Sequence, residues 1–139
     1  MADLAGLEVG MRASMVRTVS DEDLVRFSEV TGDTNPVHLD EEWAQASRFK
    51  GRIAHGMLTA GYVSAVLGKE LPGPGAVYME QTLRFTEPVR IGDTVTAEVE
   101  VIHIDTDRRR VRLQTTCTNQ EGTPVLVGEA LVLIPRGDR

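Results

Sequence analysis

Asp33 and His38 stand five residues apart in the stretch Gly32-Asp33-Thr34-Asn35-Pro36-Val37-His38, and seventeen residues after His38 the chain reads His55-Gly56-Met57-Leu58. A carboxylate and an imidazole are the side chains best suited to take and give protons near neutral pH, and here they converge across a proline turn. On spacing alone they fit two assignments. Either they are a base and an acid acting on one water or hydroxyl, or Asp33 caps the turn and His38 caps the next helix. Asn35 before Pro36 is ordinary turn chemistry. Gly56 opens a helix, so its N–H belongs to the unpaired first turn and can meet a carbonyl that is gaining negative charge. Equally, it can serve only as a tight entry to that helix. The stretch is too polar to be core, and a buried helix beginning with His-Gly follows closely; both favour the chemical assignment.

The elements that position these groups follow from pattern. Residues 11–18 alternate loosely and predict a first strand. Ser20 caps a helix with Asp23 at the capping-box position, and three acids in its first turn suit the helix dipole. Leu24, Phe27 and Val30 form its expected buried stripe. This helix must stop near Gly32, because Pro36 cannot continue it and disfavours helical geometry at Asn35, so residues 32–38 read as an irregular turn. A short helix over 40–47, capped by Asp40, turns Trp43 and Ala46 inward. From Gly56 to about Leu67 apolar residues cover nearly the whole helical circumference, which predicts a core helix ended by Gly68. Gly61 costs about 1 kcal/mol in mid-helix and is expected to mark a close backbone approach. Ser64, also mid-helix, is expected to bond back to a helix carbonyl. Leu71-Pro72-Gly73-Pro74-Gly75 is a rigid, turn-rich link.

The remainder reads as strand. Val77, Met79, Leu83 and Phe85 share one face. Residues 94–101 and 111–117 alternate cleanly, and turns lie at 105–107 and 119–122. The last strand, over 124–134, is apolar at both parities, as expected of a central strand or a subunit interface. His103 lies at an apolar parity and is assigned to packing, as is His55. A ten-residue strand spans ~33 Å and a twelve-residue helix ~18 Å, so each strand can cross the helix. The fold class is α+β: one curved antiparallel sheet wrapped around the buried helix, with an α+β roll as the competing arrangement.

Composition bounds the rest. The 139 residues are read as one domain, 1–139, with 41% hydrophobic and 26% charged residues. A net charge of −6 and a pI near 5.0, with few aromatics, argue against nucleic acid as a partner. The longest apolar run is too short to cross a bilayer, and the first ten residues carry two acids and no basic residue, unlike a secretory leader. The single Cys117 excludes an internal disulfide and fits a reducing cytoplasm. No His-x-His or close cysteine pair is present, so no metal site is expected.

The run from Phe27 to His38, continued by Ala46 and then His55-Gly56-Met57-Leu58, resembles the (R)-specific enoyl-CoA hydratase family, the MaoC-like dehydratases. The G-D-x-N-P-x-H motif and the H-G-M turn both stand intact, and the similarity extends over almost the whole chain. The resemblance implies a hot-dog homodimer acting on acyl-CoA or acyl-carrier-protein thioesters, with no cofactor beyond the CoA of the substrate. Carried over by position, Asp33 and His38 match the catalytic pair and Gly56 the donor to the substrate carbonyl. Asn35 matches the motif's supporting asparagine, and Ser64 a serine near the site. The pair on its turn lies outside the core, so replacing either residue is expected to leave folding intact. A 3-hydroxyacyl-carrier-protein dehydratase, a hot-dog thioesterase and a non-catalytic acyl-binding member are the alternatives. The last is disfavoured by the presence of both Asp33 and His38. The pathway served, polyester precursor supply or fatty-acid synthesis or degradation, stays open.

Overall fold

The structure is a computed structural model, and it describes residues 1–137. Strand β1 (Arg12–Thr18) leads into α1 (Asp21–Thr31), two short helices α2 (Pro36–Leu39) and α3 (Glu41–Gln45), and the long helix α4 (Gly56–Lys69). Strands β2 (Val77–Gln81), β3 (Arg84–Phe85), β4 (Thr94–Asp105), β5 (Arg110–Thr118) and β6 (Pro124–Leu133) follow. All pair antiparallel in one sheet of order β1-β4-β5-β6-β2, with β3 also on β6. Helix α4 packs across this sheet against β4, β1, β5 and β6. A sheet wrapped on one buried helix is the hot-dog fold.

The core is the side of the sheet that faces α4. Val95, Ala97, Val99 and Val101 of β4 and Val111, Leu113, Thr115 and Cys117 of β5 have no exposed surface, as their alternation requires. From the helix they meet Val63, Val66 and Leu67. Each fully buried Val or Leu side chain contributes roughly 1.5–3 kcal/mol, so this layer holds the helix axis in place. Strand β6 is central, with β5 on one edge and β2 on the other, and Val125, Leu126, Leu131 and Val132 are buried at both parities.

Several expectations are corrected. The stretch 77–85 is not one strand: pairing with β6 shifts register between Tyr78 and Glu80 and breaks at residues 82–83. There the Thr82 carbonyl runs so close to Gly128 that a Cβ at Gly128 would overlap it. Its expected apolar face is not buried within this chain either, since Val77, Met79 and Phe85 remain exposed. In α1 the inward positions belong to Leu24 and Ser28, and Val30 points out at 83% exposure. In α3 the buried residue is Ala44, not Trp43 or Ala46, because so short a helix, capped from Asp40 to the Trp43 N–H, buries one position only. Helix α4 runs through Gly68 to Lys69. A Cβ at Gly61 would meet nothing within 4 Å, so no close approach occurs there within the chain. Met57, Gly61, Ser64, Ala65 and Gly68 leave one face of α4 exposed. His103 is exposed, because the register shift between Val101 and His103 turns it off the apolar parity. No helix among the described residues is long and apolar enough to cross a membrane.

Candidate active site

The residues singled out above gather where α1 ends and α4 begins. Ser20 and Asp23 make a full capping box at the start of α1, and Gly32 ends it with φ +83°, a left-handed conformation that costs glycine little. The Thr31 hydroxyl then accepts the Asp33 N–H at 3.1 Å, and an Asp33 carboxylate oxygen accepts the Asn35 N–H at 3.3 Å. Residues 36–39 are not an irregular turn but the one-turn helix α2, with Pro36 in its first turn and Asn35 as its cap. The Asn35 carboxamide oxygen accepts the Val37 N–H at 3.2 Å. Proline opening and asparagine capping a helix are favourable at these positions. The asparagine therefore shapes the backbone that carries His38.

His38 is buried at 8% exposure, against the expectation that the pair stands on an open turn; Asp33 is exposed. The cause is the extended segment 52–54. The Ile53 N–H donates to the Val37 carbonyl at 3.2 Å, and the Ile53 carbonyl accepts from His38 Nδ1 at 2.8 Å. Arg52 closes the same contact by donating to the His38 carbonyl at 2.7 Å and pairing with Asp21 at 2.6 Å. A carbonyl can only accept, so His38 Nδ1 carries the proton and Nε2 is left as the exchangeable nitrogen.

His55, read from sequence as a packing residue, sits under this pair. It is 2% exposed and stacks on His38 with ring centroids 3.8 Å apart and planes inclined by 26°. Its Nε2 lies 3.0 Å from the Ser28 hydroxyl and 3.2 Å from the Asp33 carbonyl, while Nδ1 has no partner. Burial holds its pKa below the ordinary histidine value, reinforced by His38 and opposed by the Asp33 carbonyl bond and carboxylate. His55 therefore stays neutral near pH 7. His55 opens the H-G-M turn, which marks the helix start and not a task for its ring, and no motif marks Ser28. The available signal was a serine in the buried stripe of α1, where a hydroxyl is costly without a partner.

Gly56 follows immediately as the first residue of α4, so its N–H has no acceptor within the helix. A Cβ there would stand 2.7–2.8 Å from the Phe85 ring, so the glycine lets that ring close over the helix end. His38, His55, Gly56 and Phe85 line a cavity of about 440 Å³, with Arg48 and Glu87 also on its wall. Ser64 is not brought to it. It lines an adjoining apolar cavity of about 460 Å³ with Phe27, Gly61, Tyr78 and Leu83, and Met57 belongs to both. The expected back-bond is made by Thr59 to the Gly56 carbonyl at 2.6 Å rather than by Ser64.

Donor atoms of Asp33, His38 and His55 lie within 4.8 Å of one another, a grouping a metal ion could in principle use. The two rings do not fit one ion. Imidazole lone pairs lie in the ring planes, and planes 3.8 Å apart and inclined by 26° meet far beyond a metal–nitrogen bond of about 2 Å. Stacking suits proton chemistry instead, since it leaves His38 Nε2 uncommitted beside the Asp33 carboxylate, one oxygen of which accepts the Asn35 N–H.

Known proteins resemble this chain over most of its length. The MaoC like domain family matches residues 6–123. The chain belongs to the MaoC-like dehydratases. It is 50% identical over 129 residues to an "(R)-specific enoyl-CoA hydratase" of Rhodospirillum rubrum, covering 93% of this chain and 89% of that protein. It is 53% identical over 130 residues to a "3-hydroxybutyryl-CoA dehydratase" of Methylorubrum extorquens, covering 94% and 82%. The unliganded R-hydratase PhaJ1 of Pseudomonas aeruginosa superposes with a TM-score of 0.91 at 46% identity, covering 96% of this chain and 86% of that one.

In this MaoC-like chain the two members of the pair differ in what they hold together. His38→Ala should destabilise the fold by about 1–3 kcal/mol, because it leaves the Ile53 carbonyl without its donor. The exposed Asp33→Asn should stay within about 0.5 kcal/mol. Urea unfolding followed by far-UV circular dichroism checks both, and equal stabilities would contradict the burial of His38.

Proposed function

We propose that this protein is an (R)-specific enoyl-CoA hydratase, a hydro-lyase that adds water reversibly across the double bond of a trans-2-enoyl-CoA. The observation that carries this reading is that a carboxylate oxygen of Asp33 and ring nitrogens of His38 and His55 lie within 4.8 Å of one another, beside a cavity that both His38 and Gly56 line. The enoyl thioester is electrophilic at C3 because its carbonyl can accept charge. Asp33 takes one proton from water as the C3–O bond forms, and the π electrons move through C2 to the thioester oxygen. The Gly56 N–H holds that oxygen as the enolate develops. A proton on His38 Nε2 goes to C2, and the proton held by Asp33 passes to Nε2 to close the cycle. One water supplied from one face gives syn addition and, as in the relatives, the (R)-3-hydroxyacyl product. The scheme needs no cofactor beyond the CoA of the substrate. Asn35 supports it through the cap of α2, and Ser64 through the wall next to Met57.

A homodimer is part of this reading. Strand β2 is a sheet edge carrying exposed Val77, Tyr78 and Met79, and the open face of α4 lies beside it. An apolar edge of this kind needs a partner, and a second copy paired edge to edge supplies one. The lone, buried Cys117 suits a cytoplasmic protein. Its thiol is pushed up to about 12 by burial, so no thiolate is available for a thioesterase reaction.

Loss of the enone absorbance of crotonyl-CoA, with thiol release measured alongside, tests the activity, and crotonyl-carrier protein in the same assay tests the carrier. Asp33→Asn and His38→Asn should each lower kcat by about 10²-fold or more. The double variant should lose far less than the product of the two, because both groups act on one water. A single variant turning over at the wild-type rate would remove the assignment.

Gly56→Pro deletes the N–H at a helix position where proline is tolerated, and should lower kcat by ~10²–10³-fold. Gly56→Ala keeps the N–H and meets the same Phe85 ring, so it should retain more activity. Equal losses in the two would assign the effect to Phe85 instead. Sedimentation equilibrium should give twice the chain mass; a monomer at all concentrations would refute the dimer.

A further inference from the structure

The hydration scheme uses Asp33, His38 and Gly56 but leaves unexplained two polar side chains buried beside them. Ser28 and His55 are each 2% exposed, and each is the other's partner at 3.0 Å. Burying a hydroxyl and an imidazole costs free energy that two apolar residues would not, so their placement calls for a task. We propose that His55 is the positioning residue of the site, its ring a platform for the His38 imidazole and its Nε2–H a tether for the Asp33 backbone. This inference rests on the hydratase reading above.

The geometry assigns the tautomer. The Asp33 carbonyl, 3.2 Å from Nε2, can only accept, so Nε2 carries the hydrogen and Nδ1 is the unpartnered lone pair. In the opposite tautomer an N–H would be buried without an acceptor and two lone pairs would face each other at 3.2 Å. With Nε2–H in place, the Asp33 main chain is fixed at the carbonyl next to its catalytic carboxylate. The ring of Phe27, centroid 4.6 Å away, bounds His55 on another side and the Ser28 hydroxyl bounds it on a third. His55 is also the residue before Gly56 and the cap position of α4. One side chain thus ties together the end of α1 that carries the base, the helix that carries the acid, and the helix end that carries the carbonyl donor. A rigid neighbour of this kind acts on rate, because displacing a reacting group by about 1 Å can cost about 10²-fold.

The test replaces one function of His55 at a time in the full chain. His55→Phe keeps an aromatic platform and loses the tether; His55→Gln keeps an Nε2 donor and loses the platform; His55→Ala loses both. With crotonyl-CoA, His55→Ala should lower kcat per folded molecule by about 10–100-fold with KM changed less than about threefold. His55→Gln and His55→Phe should each recover part of that loss. Ser28→Ala should lower kcat by a smaller factor. Nitrogen-15 spectra of the ring nitrogens give a readout independent of turnover: wild-type His55 should show Nε2–H, and His38 should lose its uniform Nδ1–H state in His55→Ala. If His55→Ala does not fold, the Phe and Gln variants decide by the same measures. Wild-type kcat per folded molecule in these variants, or a His38 tautomer indifferent to them, would overturn the proposal. A wild-type protein that does not hydrate crotonyl-CoA would overturn the hydratase reading instead, and the His38 spectra would still decide the role of His55.

Discussion

The packing of α4 across the sheet is the constraint from which the site follows. A helix buried along one face by Val63, Val66 and Leu67 cannot slide without opening a cavity, and cavities in close-packed interiors are expensive. Its N-terminus is therefore a fixed point. Helix starts present N–H groups that no residue of the helix can satisfy, so the fold delivers a positioned donor at Gly56 as a by-product of burying its core. The rest of the site is built outward from that point.

Polar groups around it are distributed according to what burial costs them. Asp33 stays exposed, where water hydrates its carboxylate. His38 is buried on the cavity wall, with Nδ1 committed to the Ile53 carbonyl. His55 is buried throughout and kept neutral. The unfolded chain takes up a proton at this residue below about pH 6.5 and the folded chain resists it. His55 therefore makes the fold lose stability as pH falls through that range, and the sign is that of any buried neutral histidine.

One face of α4 is left open by the sheet. Two apolar cavities adjoin at Met57, yet one of them is walled largely by the exposed face of α4 and the edge strand β2. Glycine at 61 and serine at 64 make that helix face shallow. The near-complete apolar circumference of α4 is thus not explained by its own sheet, which covers only part of it; the uncovered part borders the second cavity.

Sequence alone determined which side chains of residues 94–101 and 111–117 face the core, because a period of two leaves one face apolar and the other polar; His103, past the register shift in β4, escaped that pattern. It also determined the capping box of α1 and the helix start at Gly56, since caps and helix-opening residues are local signals. Only the tertiary structure decided what lies far apart in the chain. Ser28 and His55 are 27 residues apart, and their bond exists because α1 and α4 meet. His38 is buried because residues 52–54 fold over it, and Phe85 reaches Gly56 from a strand beyond the helix. Trp43, Val30 and Gly61 were misread for the matching reason. Hydrophobicity says that a residue can be buried, but which face finds a neighbour is settled by elements elsewhere in the chain, and no local pattern records where those elements go.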